Sequence, residues 1–312
     1  MTDVIAFFPG QGAQQVGMLS DLAESFPVIR DTFNEASDAL GFDVWSLVQD
    51  GPADRLNQTA NTQPALLSAS VAIWRALQES APAMQVTAAA GHSLGEYSAL
   101  VAADAVDFAA AVALVRRRGE LMEAAVPAGQ GGMAAVLGLN DDDIRSVCAD
   151  ASVAGIVEPA NFNAPGQIVI AGEQAGIEKA IELAKAAGAK RALPLAVSGP
   201  FHSSLMRQAA ESFADDLSAI AWRAPKFPVY HNVSNAPSTL EEIPQHLLEQ
   251  LYSPVNWTGA VAAIRGCADL AVECGPGKVI SGLNKRIDKT LATVTTGDSS
   301  AFQAAVERIQ EA

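Results

Sequence analysis

Cysteine is scarce in this chain: only three occur among 312 residues, and none belongs to a C-x-x-C pair. An odd count without paired spacing is typical of free thiols in a reducing compartment and argues against a disulfide framework. The sequence also has no H-E-x-x-H motif and no histidine cluster, so no metal site is expected. We therefore expect a cytoplasmic protein that works without a metal or another cofactor.

Basic residues are in deficit as well, with 20 Lys and Arg against 35 Asp and Glu and a net charge of -15 at pH 7. Nucleic acids and anionic membranes both reward clustered cations, so neither is expected as a partner. The longest apolar helical pattern covers residues 108–115, well short of the about 20 residues that span a bilayer. The N-terminus carries Asp3 where a signal peptide would be basic. Because 49% of the residues are hydrophobic, the chain can bury a full globular core.

What the sequence does contain is G-x-S-x-G at residues 91–95, between an apolar segment and an amphipathic one. This context is typical of a nucleophile elbow, a sharp strand-to-helix turn on which a serine stands clear of the sheet. The two glycines leave room for the strand and the helix to pass closely. Ser93 is therefore the candidate nucleophile, and the alternative is an ordinary tight turn, since five-residue matches arise by chance.

A serine nucleophile needs a base, and the chain offers four histidines. His92 adjoins the nucleophile on the turn and should point away from it. His231 and His246 suit ordinary structural roles. His202 lies in a rigid Gly-Pro turn and is the candidate base. No Asp or Glu stands where the third member of a triad would be expected, which favours a Ser-His dyad.

The pattern of elements predicts an α/β fold with an insertion. Residues 128–197 have the order β-α-β-β-α-β, which indicates a ferredoxin-like subdomain. Residues 1–127 and 198–312 alternate strands and helices, which favours one mainly parallel sheet with helices on both faces. Helices are predicted at 21–39 and 201–220 among others, and a strand at 86–90 despite alanines that are poor strand formers.

Short motifs along nearly the whole chain resemble the malonyl-CoA:acyl carrier protein transacylase family. In chain order they are Phe8–Gly12, Gln63–Ala65, Gly91–Tyr97, Arg118–Gly119, Asn161–Gln167, Phe201–Ser203 and Gly275–Lys278. The resemblance implies a hydrolase-like domain that holds the ferredoxin-like insert. It also implies ping-pong transfer of a malonyl group through a malonyl-serine ester, for fatty acid synthesis.

The resemblance also implies roles for individual residues. The backbone N–H groups of Gln11 and Leu94 would form the oxyanion hole. Arg118 would bind the malonate carboxylate through both oxygens, although a surface arginine in the run of residues 116–118 is the alternative. The main-chain carbonyl of Gln250 would orient His202 in place of an acid.

Three further residues are expected to line the pocket: Gln63, Asn163 and Phe201. The ring of Phe201 would fill the space of a branch methyl on the acyl group, although covering the core would explain this residue equally well. Hydrogen bonds that stabilise a turn or the core would likewise explain Gln63 and Asn163.

Malonyl-CoA and, transiently, an acyl carrier protein are the expected partners of a monomer. Carrier proteins are acidic, as this chain is, so docking would need a local basic patch, with candidates Lys190, Arg191, Lys285, Arg286 and Lys289. Two other classes remain open, namely an esterase or thioesterase that delivers the acyl group to water, and a carrier-protein binding module with a vestigial site.

Overall fold

The structure is a computed structural model that describes residues 1–311. Its strands are β1 Thr2–Phe8, β2 Met84–Gly91, β3 Gly131–Leu137, β4 Val157–Ala164, β5 Gln167–Glu173, β6 Arg191–Pro194, β7 Val229–Tyr230, β8 Leu270–Glu273 and β9 Ala292–Thr295. Its helices are α1 Ser20–Ser25, α2 Pro27–Leu40, α3 Val44–Asp50, α4 Ala53–Leu56, α5 Thr59–Ser80, α6 Gly95–Ala102, α7 Phe108–Ala124, α8 Asp141–Ala151, α9 Gln174–Ala186, α10 Arg207–Ser218, α11 Ile243–Tyr252, α12 Trp257–Ile264, α13 Val279–Ile287 and α14 Ser299–Glu311. Short 3₁₀ helices cover Ser204–Met206 and Leu240–Glu242.

The larger sheet has five parallel strands in the order β7-β2-β1-β8-β9. Side chains alternate along its central strand: Val4 and Phe8 belong to one hydrophobic core, whereas Ile5 and Phe7 belong to another. Helices cover both faces, α5, α6 and α7 on the first core and α12 and α13 on the second. The predicted parallel sheet with helices on both faces is confirmed.

The smaller sheet has four antiparallel strands in the order β4-β5-β3-β6. Helices α8 and α9 pack on it and enclose a separate core that includes Ile144, Ile168 and Ile177. Order and direction are those of the predicted β-α-β-β-α-β unit, so the fold class is confirmed. The main-chain hydrogen bonds of Val255 with Ala160 and Phe162 join the insert to the segment before α12.

Two predicted helices differ from the structure. The pattern at 21–39 forms two helices, because the chain is extended at Phe26 and Pro27 starts α2 as its first residue. The pattern at 201–220 becomes an α-helix only at Arg207, because His202 has the left-handed φ of +61° that a helix cannot contain. This late start leaves His202 on an irregular turn.

Four elements had no sequence prediction: α3, α4, β9 and α14. The first had a usable signal, since the Asp43 carboxylate accepts a hydrogen bond from the Ser46 N–H as an N-terminal cap. No helix of residues 1–311 combines the length and the apolar composition needed to cross a membrane.

Candidate active site

The G-x-S-x-G motif forms a sharp turn between β2 and α6. Strand β2 ends at Gly91, helix α6 begins at Gly95, and Ser93 between them has a φ of +52°. A Cβ on Gly91 would lie 1.9 Å from the carbonyl carbon of Gly95, and one on Gly95 would lie 2.1 Å from the carbonyl oxygen of Phe8. Any side chain at either position would therefore collide with backbone, which explains why both are glycine.

The alanines of β2 are explained by the same close packing of strand and helix. Ala88, Ala89 and Ala90 are fully buried between the two cores. Helix α6 packs closely on β1 and β2, so the local β-propensity of these residues matters less than their small volume.

The structure brings Ser93 and His202 into hydrogen-bond contact across 109 residues of sequence. The Ser93 Oγ lies 2.7 Å from Nε2 of His202. The opposite ring nitrogen, Nδ1, lies 2.8 Å from the carbonyl oxygen of Gln250. A carbonyl can only accept, so Nδ1 carries the proton and Nε2 is left to accept the serine proton.

The environment of His202 keeps its ring neutral. The side chain is almost fully buried, and burial, together with the positive charge of Arg118, lowers the pKa of His202 to about 3, against the opposing effect of the hydrogen bond to Gln250. An imidazole with such a pKa is unprotonated near neutral pH. It can therefore take a proton from Ser93 under those conditions.

Arg118 lies inside the protein and not on its surface. Its residue is 1% exposed. It donates from Nη1 to Oε1 of Gln63 at 2.8 Å and from Nη2 to Oε1 of Gln250 at 2.8 Å. Nη2 also lies 3.3 Å from the Ser93 Oγ. The three arginines of residues 116–118 therefore do not share one environment: the side chain of Arg117 is 47% exposed and paired with Asp216.

The charge of Arg118 has no carboxylate partner in the free protein. None of the ion pairs among residues 1–311 includes this guanidinium. Its Nε–H has no hydrogen-bond partner in this part of the chain, and its guanidinium carbon lies 5.4 Å from the centre of the Tyr97 ring. Burial lowers the pKa of Arg118, but an arginine stays protonated in proteins. A buried cation of this kind is suited to bind an anion.

Two main-chain donors border the same space. Gln11 and Leu94 both line the cavity at Ser93. Neither N–H group donates a hydrogen bond within residues 1–311. The Gln11 side chain is held by Thr59, whose Oγ1 accepts from Nε2 at 3.3 Å. Free N–H groups beside a nucleophile are what an oxyanion hole requires.

A cavity of about 210 Å³ connects these groups. The parallel-sheet domain contributes Ser93, His202 and Arg118, and also the predicted lining residues Gln63 and Phe201. The insert contributes both apolar and amide side chains, among them the third predicted lining residue, Asn163. Its apolar members are Met133, Val169, Leu195 and Val197, and its amides are Asn161, Asn163 and Gln167. The site thus lies between the two sheets.

The other three histidines make structural contacts, as expected of His231 and His246. His92 lines the cavity, with Nε2 2.8 Å from Oδ1 of Asn163 and its ring against that of Trp257. His231 is 1% exposed and bonded to Glu96. His246 stacks on His231 with ring centres 4.7 Å apart.

Sequence reasoning missed three features under the elbow: the carboxylate of Glu96, the amide of Asn232 and the side chain of Gln250. Each makes hydrogen bonds within this site. The sequence offered one signal, since a glutamate directly after the second glycine of the motif is placed in the buried first turn of α6. Within residues 1–311, no three His, Cys, Asp or Glu side chains converge as metal ligands.

The chain is similar to known proteins over nearly its whole length. Residues 6–281 match the family described as the acyl transferase domain. The malonyl CoA-acyl carrier protein transacylase of Escherichia coli strain K12 is 51% identical over 313 residues, which cover 98% of this chain and 100% of that protein.

Solved structures share the fold. The acyl carrier protein S-malonyltransferase of Vibrio cholerae superposes with a TM-score of 0.93 at 51% identity, covering 98% of this chain and 100% of that one. A malonyl-transacylase in complex with its type II PKS acyl-carrier protein superposes with a TM-score of 0.95 at 49% identity, covering 99% of this chain and 100% of that one.

Proposed function

This chain belongs to the acyl transferase domain family, and from that premise and the site we infer that it transfers the malonyl group of malonyl-CoA to the pantetheine thiol of acyl carrier protein. The enzyme is an acyltransferase that supplies fatty acid synthesis. The transfer passes through a malonyl ester of Ser93 and follows ping-pong kinetics. The proposed reaction needs no cofactor, because coenzyme A enters only as part of the substrate malonyl-CoA.

The observation that carries the choice of malonyl group is the unpaired buried charge of Arg118. Its Nη2 lies 3.3 Å from the nucleophilic oxygen, so a short acyl chain on Ser93 reaches the guanidinium with its far end. A free carboxylate at that end pairs with two of the three guanidinium nitrogens and supplies the missing counterion. An acetyl group has no carboxylate that could pair with Arg118.

In the first half-reaction, Ser93 attacks the thioester carbonyl while His202 Nε2 takes the hydroxyl proton. The oxyanion that forms accepts hydrogen bonds from the Gln11 and Leu94 N–H groups, a contribution of about 2.7–4 kcal/mol per donor in a comparable enzyme. The C–S bond then breaks, and the leaving coenzyme A sulfur receives the proton from His202. The Gln250 carbonyl holds the ring in the required tautomer throughout.

In the second half-reaction, the same groups act in reverse order. His202 takes the proton of the pantetheine thiol, and the sulfur attacks the ester carbonyl. The ester C–O bond breaks, and the Ser93 oxygen recovers its proton from His202. The malonyl group leaves on the carrier protein, and Arg118 is again without a carboxylate.

The carrier protein and the phosphates of coenzyme A meet a basic rim in this proposal. Arg286 donates from Nη1 to Oε1 of Gln167, a residue of the cavity wall. Lys190 lies beside Gly138, which in turn contacts Gly166. Helix α13 also lines the cavity, through Val279, Ile280 and Leu283, which supports the part of the rim formed by Lys285 and Arg286. The remaining candidates are Arg191, at the start of β6, and Lys289, just after α13.

The setting proposed for this enzyme is the cytoplasm, where it acts as a monomer. The three cysteines are free thiols, two of them buried, which suits a reducing compartment. Size-exclusion chromatography with light scattering checks the monomer directly.

Intact-protein mass spectrometry tests the reaction. After mixing with malonyl-CoA, the protein gains the mass of one malonyl group, and added holo acyl carrier protein removes it. Ser93→Ala gains nothing. An adduct that water removes as fast as the carrier protein would instead indicate a thioesterase, and no adduct on the wild type would indicate a binding module.

A further inference from the structure

A fully buried carboxylate that the proposed chemistry does not use lies directly beneath the nucleophile elbow. Glu96, in the first turn of α6, is 0% exposed. Its Oε1 accepts a hydrogen bond from His231 Nδ1 at 2.7 Å, and its Oε2 accepts from the Asn232 N–H and from Gln250 Nε2, both at 2.9 Å. Three donors from two other segments thus converge on one side chain.

The first of the two residues held at Oε2 clamps the elbow itself. Asn232 accepts from the Ser93 N–H through Oδ1 at 2.7 Å and donates through Nδ2 to the Gly91 carbonyl at 2.7 Å. Ser93 has a φ of +52°, a backbone conformation that costs energy for any residue other than glycine. Such a conformation persists only when its surroundings fix it, and Asn232 fixes it on both sides.

The second residue, Gln250, reaches every other reacting group. Its Oε1 accepts from Arg118 Nη2 at 2.8 Å, its Nε2 donates to the Ser93 carbonyl at 3.1 Å, and its main-chain oxygen accepts from His202 Nδ1 at 2.8 Å. One residue therefore contacts the nucleophile, the base and the anion-binding group. Glu96 sets the orientation of this amide, because its carboxylate can only accept a hydrogen bond and therefore faces the Nε2 end of Gln250.

We propose that Glu96 is a positioning residue, whose carboxylate fixes Asn232 and Gln250 and through them the geometry of Ser93, His202 and Arg118. The inference rests on the proposed function, since it concerns the same site. A glutamine at this position would present one acceptor oxygen and an NH₂ group to three donors. At least one of the three contacts would then be lost, and the elbow or the Gln250 amide would shift.

The test uses Glu96→Gln and the rate at which a fluorophosphonate labels Ser93. This probe reports on the nucleophile without any acyl substrate, so its result does not depend on whether malonyl-CoA is the donor. We expect labelling to slow by at least about tenfold, because misplacement of a reacting group by 1 Å can cost about a hundredfold in rate. A wild-type labelling rate in a folded Glu96→Gln protein would overturn the proposal.

A matched control separates positioning from a general loss of stability. Thr32→Val removes a buried hydroxyl that bonds to the Val28 carbonyl and to Arg75, in α2 and outside the cavity lining. We expect this variant to lower the unfolding temperature and to leave the labelling rate unchanged. If Thr32→Val slowed labelling as much as Glu96→Gln does, the effect would be one of stability and the proposal would fail.

A double-mutant cycle tests the route through Gln250. Gln250→Ala removes the side chain and keeps the main-chain carbonyl for His202. In that background Glu96→Gln should cost less in kcat/KM for malonyl-CoA than in the wild type, because one of its two routes is already broken. Fully additive losses would contradict the route.

Should Glu96→Gln fail to fold, Asn232→Asp tests the next step of the route, the contacts of the Asn232 side chain with the elbow. It keeps an acceptor for the Ser93 N–H and replaces the donor that faces the Gly91 carbonyl with a second acceptor. Labelling at least about tenfold slower is expected, and labelling at the wild-type rate would overturn the proposal.

Discussion

The two sides of the cavity differ in kind. On the side of the parallel sheet, Ser93, His202 and Arg118 are bound to one another and to Gln250 in a continuous hydrogen-bond network. On the side of the insert, Met133, Val169 and Leu195 form an apolar wall that contributes no partner to the Ser93–His202 pair.

This difference assigns the chemistry to one sheet and the shape of the cavity to the other. Loops at the carboxyl ends of parallel strands can meet at one point, and the elbow after β2 meets the turn that carries His202 there. An antiparallel sheet with its own core can instead cover the site without reacting. Changes on the first side should therefore alter rates, and changes on the second should alter stability more than rates.

The largest expected effect is that of Ser93→Ala on the reactive side. Without the hydroxyl no malonyl ester forms, and we expect kcat to fall by at least about 10⁴-fold, as removal of a catalytic serine does in comparable enzymes. The carrier-protein malonylation assay measures it. Ser98→Ala, which alters another buried hydroxyl of α6 outside the cavity lining, is the control and should remain active. Activity near the wild-type rate in Ser93→Ala would contradict the assignment of the chemistry to the side of the parallel sheet.

Arg118→Ala is expected to have the next largest effect, and one that depends on the substrate. Loss of a charge-assisted pair with the malonate carboxylate should lower kcat/KM for malonyl-CoA by about 10²- to 10³-fold, whereas use of acetyl-CoA should rise because it no longer meets an unpaired buried charge. Steady-state kinetics with both donors measure the split. Arg117→Ala, with an exposed guanidinium on the same helix, should leave both values within about twofold. Equal losses for the two donors would mean that Arg118 acts only in packing.

The reactive side was also the part most open to prediction from sequence. The elbow glycines identify Ser93, since a Cβ at Gly91 or Gly95 meets backbone, and the Gly-Pro turn directly before it distinguishes His202. The parallel sheet and the insert followed from the order of the elements. Arg118 could not be separated from Arg117 by composition, because one residue step on a helix decides which of them is buried.

The supporting network could not be predicted in the same way. Glu96 contacts Asn232 and Gln250 across 136 and 154 residues, and no motif links these positions. Their contacts depend on how β7 and α11 pack beside the elbow. The helix at 201–220 was predicted too early for a related reason, because periodicity does not report that His202 has a left-handed backbone.

The pH dependence sharpens the comparison through His202. Since its pKa is lowered to about 3, kcat/KM for malonyl-CoA should stay flat from pH 8 to about 5, whereas a base with the ordinary pKa near 6.5 would lose about tenfold per pH unit below that value. Initial rates across this range measure it. An acid limb at pH 6.5 in the wild type would contradict the buried, neutral ring.

The position of the acid limb also depends on a neighbour. Arg118 is one cause of the lowered pKa, so Arg118→Ala should move the limb for acetyl-CoA to higher pH. Stability must be followed alongside by circular dichroism. Below about pH 6.5 the unfolded chain protonates His202 and the folded chain does not, so this group lowers the free energy of unfolding as the pH falls toward the pKa of His202 in the folded protein.

The smallest effect on rate is expected on the side of the insert. Val169→Ala removes two methyl groups from the apolar wall, where Val169 is 7% exposed, and should lower the free energy of unfolding by about 1–3 kcal/mol. Because no reacting group bonds to this side chain, kcat/KM for malonyl-CoA should change by less than about threefold. Val136→Ala, on the adjacent strand β3 but facing the insert's own core, serves as the matched control with a similar stability loss and no kinetic change. A loss of about tenfold or more in Val169→Ala alone would show that the wall positions the acyl group, and the separation of chemistry from shape would then have to be given up.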